Sequence, residues 1–243
     1  MAMKASKRTI IVIILYVLAV AWYFFPIGAP QEKSLLFSLR LTLPAAILAL
    51  GGMGLLPWLM TAGFFFCATG DVMGVLGSFE GQMGGFAIAH ICFISWFARQ
   101  SAKAREGNKR GFSLLIITLL CLVPLTVAAF WILPEVHDTI LRIGCAIYSL
   151  LLTGTLWTAW AQFASLPSST QRRMALLAAL GATLFLLSDF ILAWNRFVNA
   201  IPNSRILIMS TYYAALLLLF AGTLKTSLPT QTNPDSAAFR AEK

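Results

Sequence analysis

The stretch Met174–Trp194, MALLAALGATLFLLSDFILAW, decides the fold: it is long enough to cross a bilayer on the ~20-residue rule, and its single charge, Asp189, lies near one end. Leu186, Leu187, Phe190, Ile191 and Leu192 surround that carboxylate, with no opposite charge within four residues. An ionisable group at bilayer depth costs roughly 2.5–3.5 kcal/mol even on lenient insertion scales, so it faces the interior of a bundle and has a purpose there. A second such residue, Asp71, closes another apolar stretch, Leu55–Gly70.

Working outward, the chain of 243 residues is 59% hydrophobic and 11% charged, with a mean hydropathy of +0.81. Apolar runs recur along it, broken by short polar gaps. The segments Ile10–Phe25, Leu35–Leu50, Leu55–Gly70, Met83–Phe97, Phe112–Leu133, Ile140–Phe163, Met174–Trp194 and Ile206–Leu224 predict an all-α polytopic membrane protein of about eight helices in one bundle, spanning residues 1–225. The period-two alternation of a membrane β-barrel is absent. Lys4, Lys7 and Arg8 before the first run resemble a secretory signal, but the run ends in Tyr23-Phe24-Phe25-Pro26 with no small-x-small cleavage site, so it reads as a retained first helix. Residues 226–243 are polar and breaker-rich, which predicts a disordered tail.

Charge sets the expected orientation. With the N-terminus inside, the first residues, the loop after Phe97, Arg172-Arg173 and the C-terminal stretch together hold 13 of the 18 basic residues on the cytoplasmic side. Lys33, Arg40, Arg142, Arg196 and Arg205 fall on the other side. Both termini are then cytoplasmic, and the protein is a multi-pass component of a cell or cytoplasmic membrane. The net charge of +9 reflects this topology and anionic lipid; no clustered basic domain points to nucleic acid. Cys67, Cys92, Cys121 and Cys145 lie in apolar segments without C-x-x-C spacing and read as small buried hydrophobes.

Depth then groups the polar residues. Segments three and seven run the same way, so Asp71 and Asp189 share the outer leaflet. His90 lies about seven residues into segment four from its outer end, or ~10 Å, and Tyr212 and Tyr213 lie similarly deep in segment eight. Arg40 enters segment two at nearly the same level. Each also has a plainer structural reading: Asp71 as a turn residue among Gly70, Gly74 and Gly77, Asp189 in a packing salt bridge to Arg40 or Arg142, His90 in a cross-helix hydrogen bond, the tyrosines as an interfacial belt, and Arg196 and Arg205 as snorkelling cations. Glu80 and the Glu135, His137, Asp138 cluster read as outer-loop charge.

The chemistry narrows by elimination. Ser78 in Leu76-Gly77-Ser78-Phe79-Glu80-Gly81 lacks the G-x-S-x-G elbow of a serine hydrolase. Two histidines, one in a loop, disfavour a set of three or four zinc ligands, and neither a P-loop nor a dinucleotide fingerprint appears, so no metal or cofactor is called for. Acid–base work by two carboxylates remains. An intramembrane aspartyl protease would also use two such residues, but Ala68 replaces the first glycine of its G-x-G-D element and no Pro-Ala-Leu follows Asp189. A proton-coupled transporter or lipid-binding scaffold is the other alternative, with Pro44, Pro57 and Pro124 as helix breaks.

Three blocks in order, Phe66-Cys67-Ala68-Thr69-Gly70-Asp71-Val72-Met73 with Phe79, Gly81, Gly85-Phe86 and His90, then Gly181 through Ser188-Asp189 to Asn195-Arg196-Phe197, then Thr211-Tyr212-Tyr213, resemble the YhhN-like lysoplasmalogenase family along most of the chain. The resemblance implies hydrolysis of the vinyl ether bond of a lysophospholipid, an alkenyl-glycerophosphoethanolamine or -choline, to a fatty aldehyde and the glycerophospho-headgroup. Asp71 and Asp189 match the family's catalytic aspartates. His90, Tyr212, Tyr213, Ser188 and Asn195 would support the site, Arg40 or Arg196 would meet the lipid phosphate, and Glu80 would lie nearby. The chain departs from the family at Phe93, where a tyrosine is common, and at Ala214-Ala215-Leu216, where a glutamine follows the tyrosine pair. Both changes bear on headgroup preference. Two carboxylates sharing a low-dielectric site do not both ionise readily, which leaves one as a proton donor and the other as an anion.

Overall fold

The computed structural model describes residues 6–25, 35–105, 111–166 and 170–225. These form eight long helices: α1 (Lys7–Phe24), α2 (Leu35–Gly52), α3 (Trp58–Val75), α4 (Phe79–Arg105), α5 (Gly111–Val127), α6 (Thr139–Ser165), α7 (Thr170–Ala193) and α8 (Ser204–Thr223). Each is long and apolar enough to cross a membrane, α5 together with the turns that continue it to Glu135. The protein is an all-α polytopic membrane protein. The expected tail, residues 226–243, lies outside the described residues.

Apolar side chains cover the outside as well as the core. Ile14, Leu18, Leu119, Leu120, Ile143 and Leu150 are all exposed, a surface that suits lipid and would be a liability in water. The helices with the most buried faces are α7 and α8. α7 packs most closely on α8, α3 on α4, and α4 on α6, while α1 leans on α2 and α5 on α6.

Small residues set these crossings. A Cβ added to Gly85 of α4 would stand 2.7 Å from the backbone nitrogen of Gly70 in α3, and one on Gly181 of α7 would stand 2.8 Å from the nitrogen of Leu219 in α8. Without a hydrophobic driving force between helices in lipid, this close backbone contact supplies the dispersion energy. Hydroxyls add cross-helix bonds. Tyr16 donates to the Tyr213 carbonyl at 2.6 Å, Tyr213 to the Leu41 carbonyl at 3.0 Å, and Ser188 to the Ile208 carbonyl at 3.0 Å.

Several elements differ from the sequence reading. α4 and α6 run for 27 residues each, about 40 Å at 1.5 Å per residue, longer than the segments drawn from hydropathy alone. Asp71 is not a turn residue after the end of segment three: α3 continues to Val75 and carries it inside the helix. The turn falls later, at Gly77, whose φ of 82° favours glycine. Glu80, read as loop charge, sits in the first turn of α4, because the Ser78 hydroxyl accepts from the Gly81 amide at 3.1 Å and starts the helix there. Likewise Asp138 caps α6 by accepting from the Leu141 amide at 2.7 Å. α5 and α7 both end in a widened π-helical turn, at Ala128–Ile132 and Trp194–Val198, and these two turns touch.

Gly85→Leu should therefore force α3 and α4 apart and destabilise the detergent-solubilised protein by about 1–3 kcal/mol or more. Gly84→Ala, whose added Cβ meets nothing within 4 Å, should leave thermal unfolding unchanged or slightly raised.

Candidate active site

One end of the bundle gathers the start of α2, α4, α6 and α8 and the end of α3 and α7, and the buried polar side chains Arg40, Asp71, His90, Ser188 and Asp189 lie toward it. Gly70 is held against α4 by the crossing at Gly85, and this fixes the rotation of α3 that turns Asp71 inward. Asp71 is 2% exposed and accepts a hydrogen bond from the Tyr212 hydroxyl of α8 at 2.9 Å. Asp189 is 8% exposed and accepts from the Tyr148 hydroxyl of α6. Each carboxylate thus meets a neutral phenol, and each phenol comes from a different helix. The packing salt bridge considered for Asp189 is not the arrangement found: Arg142 donates to the Val136 carbonyl at 2.7 Å, and the buried Nε and Nη1 of Arg40 have no hydrogen-bond partner.

Both aspartates line a cavity of about 340 Å³, together with Gln82, Ser188, Arg205 and Tyr212, while Phe37, Leu41, Val75, Ile208 and Met209 make up much of the rest of its wall. Asp189 also lines a second, smaller cavity of about 80 Å³, whose walls are mostly apolar, among them Met83, Pro124, Ile132, Leu152 and Phe190, with Tyr148, Ser149 and Thr153 as polar members. Gln82, Phe86, Asp189 and Leu192 belong to both, so the two cavities adjoin along a wall that includes Asp189, and we describe them as two arms. Arg205 is exposed at the polar arm, where its guanidinium stacks on Phe37 at 4.3 Å and its Nε donates to the Tyr23 hydroxyl at 3.1 Å.

The other expected residues fall around this site. His90 is fully buried behind it: Nδ1 pairs with Thr155 Oγ1 of α6 at 3.0 Å, and the ring edge meets Tyr148 and Phe185. Thr155 spends its own proton on the Leu151 carbonyl at 3.1 Å, so Nδ1 is the donor and His90 supports Tyr148 without touching either carboxylate. Tyr213 bonds to α2 and α1 as described and does not line either arm. Asn195 Oδ1 accepts from the Ile201 amide at 2.8 Å and closes the loop between α7 and α8. Arg196 is exposed and stacks on Phe79, 4.0 Å from its ring centre, at the rim of the apolar arm. Glu80 is exposed at the same end. Phe93 is buried against Gly63 and Phe64 and lines neither arm.

Tyr148 and Gln82 were not singled out from sequence, and Phe86 entered only as part of the block that carries the family resemblance. The signal for Tyr148 was available: it lies about as far into its helix from the same end as His90 does, and it is the single tyrosine of α6. Among the described residues, no three His, Cys, Asp or Glu side chains converge as a metal site would require.

Fold and site together define a multi-pass membrane protein with a paired-carboxylate cavity. The sequence matches the YhhN family over residues 33–223. The chain belongs to that family. It is similar to lysoplasmalogenase TMEM86B of Homo sapiens, 34% identical over 155 residues, which is 63% of this chain and 57% of the human protein. It is also similar to lysoplasmalogenase TMEM86B of Mus musculus, 29% identical over 216 residues, 86% of this chain and 85% of the mouse protein, and to a lysoplasmalogenase of Mycobacterium bovis, 28% identical over 172 residues, 68% and 59% respectively. The chain thus spans just over half of the human relative and most of the mouse one. No solved structure matches it.

Tyr212→Phe strips a buried carboxylate of its donor, and should lower stability by about 1–3 kcal/mol. Thermal unfolding of Tyr212→Phe, Asp71→Asn and the double variant should be non-additive, with a coupling of about 0.5–3 kcal/mol; additive losses would mean that the bond carries no energy.

Proposed function

We propose that this protein is a lysoplasmalogenase, which hydrolyses the vinyl ether bond of an alkenyl-lysophospholipid to a fatty aldehyde and a glycerophospho-headgroup. The observation that carries the reading is the pair of buried carboxylates on one cavity, each with one phenol donor, beside a second and more apolar cavity that Asp189 also lines. Membership of the YhhN family and the likeness to three lysoplasmalogenases along much of the chain support it.

The substrate is an amphiphile, and the wider arm, with both aspartates, Gln82, Ser188 and Arg205, is the more polar of the two. The headgroup and glycerol occupy the wide arm, where exposed Arg205 offers its guanidinium to the phosphate. The alkenyl chain enters the apolar arm, whose rim carries Phe79 and Phe197. The vinyl ether then lies beside Asp71 and Asp189. A vinyl ether is cleaved by protonation of the carbon distal to oxygen, capture of the resulting oxocarbenium ion by water, and collapse of the hemiacetal. That sequence needs one acid and one anion, and two carboxylates in a dry site supply both. The excess of basic residues on the side of the termini supports an orientation with both termini cytoplasmic and the cavity in the outer half of the membrane.

Purified protein should release aldehyde from an alkenyl-lysophospholipid and leave the alkyl-ether and acyl analogues intact. Asp71→Asn and Asp189→Asn should each abolish release while retaining a monodisperse elution profile; full activity in either variant, or no aldehyde from well-folded wild type, would overturn the reading. Tyr148→Phe should lower kcat about 10–100-fold with little change in KM, since a hydrogen bond to a charged group is worth about 1.5–3 kcal/mol. Because the apolar arm holds only the first carbons and the rest of the chain runs out among the lipid-facing side chains of α5, kcat/KM should change less than about tenfold between twelve- and eighteen-carbon alkenyl chains.

A further inference from the structure

Resting on the lysoplasmalogenase reading, we propose that the two carboxylates have fixed and different tasks: Asp189 donates the proton to carbon, and Asp71 directs and deprotonates the water. The arms carry the assignment. Asp71 lines the wider, more polar arm alone, whereas Asp189 lines both and is the one carboxylate among the four residues they share. A vinyl ether has two chemically distinct carbons, one bonded to the glycerol oxygen and one bonded to the fatty chain. With the chain in the apolar arm, the chain-side carbon is the one presented to Asp189. With the glycerol in the polar arm, the oxygen-bound carbon faces Asp71 and the space that holds water. The proton must go to the chain-side carbon and the water to the other, so the polarity of the arms sets which carboxylate does which.

The steps balance without a further reagent. Asp189 begins protonated and Asp71 ionised. The π electrons of the double bond take the Asp189 proton onto the chain-side carbon, and an oxygen lone pair forms the oxocarbenium ion. Water attacks the oxygen-bound carbon and gives a proton to Asp71, forming the hemiacetal. The hemiacetal hydroxyl then returns a proton to Asp189, the carbon–oxygen bond to glycerol breaks, and the departing oxygen takes the proton held on Asp71. One water is consumed, one aldehyde and one alcohol form, and both carboxyls end as they began. Tyr148 and Tyr212 each occupy one oxygen of their aspartate and leave the other for the reaction, as positioning residues.

The test separates the two half-reactions in deuterated water with the alkenyl-lysophospholipid. Asp71→Asn keeps the proton donor but loses water capture, so protonation reverses, and recovered substrate should carry deuterium on its chain-side carbon. Substrate recovered from Asp189→Asn should carry none. Azide, an anion that needs no base, should raise turnover of Asp71→Ala at least tenfold and leave an azido adduct at the oxygen-bound carbon, and should do nothing for Asp189→Ala. Exchange or azide rescue in the Asp189 variants and not in the Asp71 variants would reverse the assignment. Neither signal in either set, with wild type active, would overturn the division of tasks. A wild type that releases no aldehyde would instead remove the lysoplasmalogenase reading on which it rests.

Discussion

The constraint on which the site depends is that a carboxylate in a bilayer must find hydrogen-bond donors inside the protein. Tyr212 and Tyr148 meet it for Asp71 and Asp189, and in doing so they tie α8 to α3 and α6 to α7. A phenol satisfies part of a carboxylate's demand without neutralising it. An arginine at the same place would hold the group as a fixed anion and would leave no proton to transfer. Arg40, buried close by in the same polar layer, is kept off both carboxylates, and Arg142 is spent on the backbone of the preceding loop. On the proposed function, reactivity and stability rest on the same two bonds, which makes the tyrosines as much a part of the proposed site as the aspartates.

Holding those donors in register requires helices that do not slide. Gly85 against Gly70 and Gly181 against Leu219 bring backbones together so closely that rotation or translation of either pair would produce a clash. The Gly70–Asp71 step joins both demands. The glycine admits α4, and the next residue is turned by about 100° of helix into the cavity. Ser188 and Asp189 repeat the device on α7: the serine hydroxyl locks to the Ile208 carbonyl of α8, and the aspartate beside it faces α6 and the cavity. In both cases a packing residue immediately precedes the buried carboxylate.

Hydropathy and segment length made the eight helices legible, because the bilayer imposes a length that few other environments do. The polar layer was legible too, since alternating direction and 1.5 Å per residue convert sequence position into depth. Depth is one coordinate; the rotation of each helix and its neighbours are the others, and hydropathy that is nearly uniform around a lipid-facing helix does not encode them. So Tyr148 escaped notice in an apolar helix at the right depth, while Tyr213, at the same depth as Tyr212, reads alike in sequence but bonds to α2. His90 was correctly deep yet serves Tyr148 from behind, bonded to Thr155. Glu80 was misread because the hydroxyl cap at Ser78, a short-range signal, was weighed as a failed nucleophile and not as a helix start. The length of α4 and α6 was underestimated for a similar reason: polar first and last turns still form helix once caps satisfy their ends.

An enzyme that cleaves an amphiphile at its polar–apolar boundary has a problem that a soluble hydrolase does not: its two reagents, proton and water, must arrive on opposite sides of one double bond, and only one side is wet. A symmetric pair of carboxylates in a uniform pocket would leave the direction of addition to chance. The bundle breaks that symmetry with its walls. α3 and α8 bring Asp71 and Tyr212 to the wide polar arm, and α6, α5 and the π-helical turn after Val127 wall the narrow arm that reaches Asp189. With the lipid seated as proposed, the same partition that orients it orders the chemistry, because a chain that prefers the apolar arm cannot present its carbons to the two carboxylates in the opposite sense without drawing its headgroup out of water.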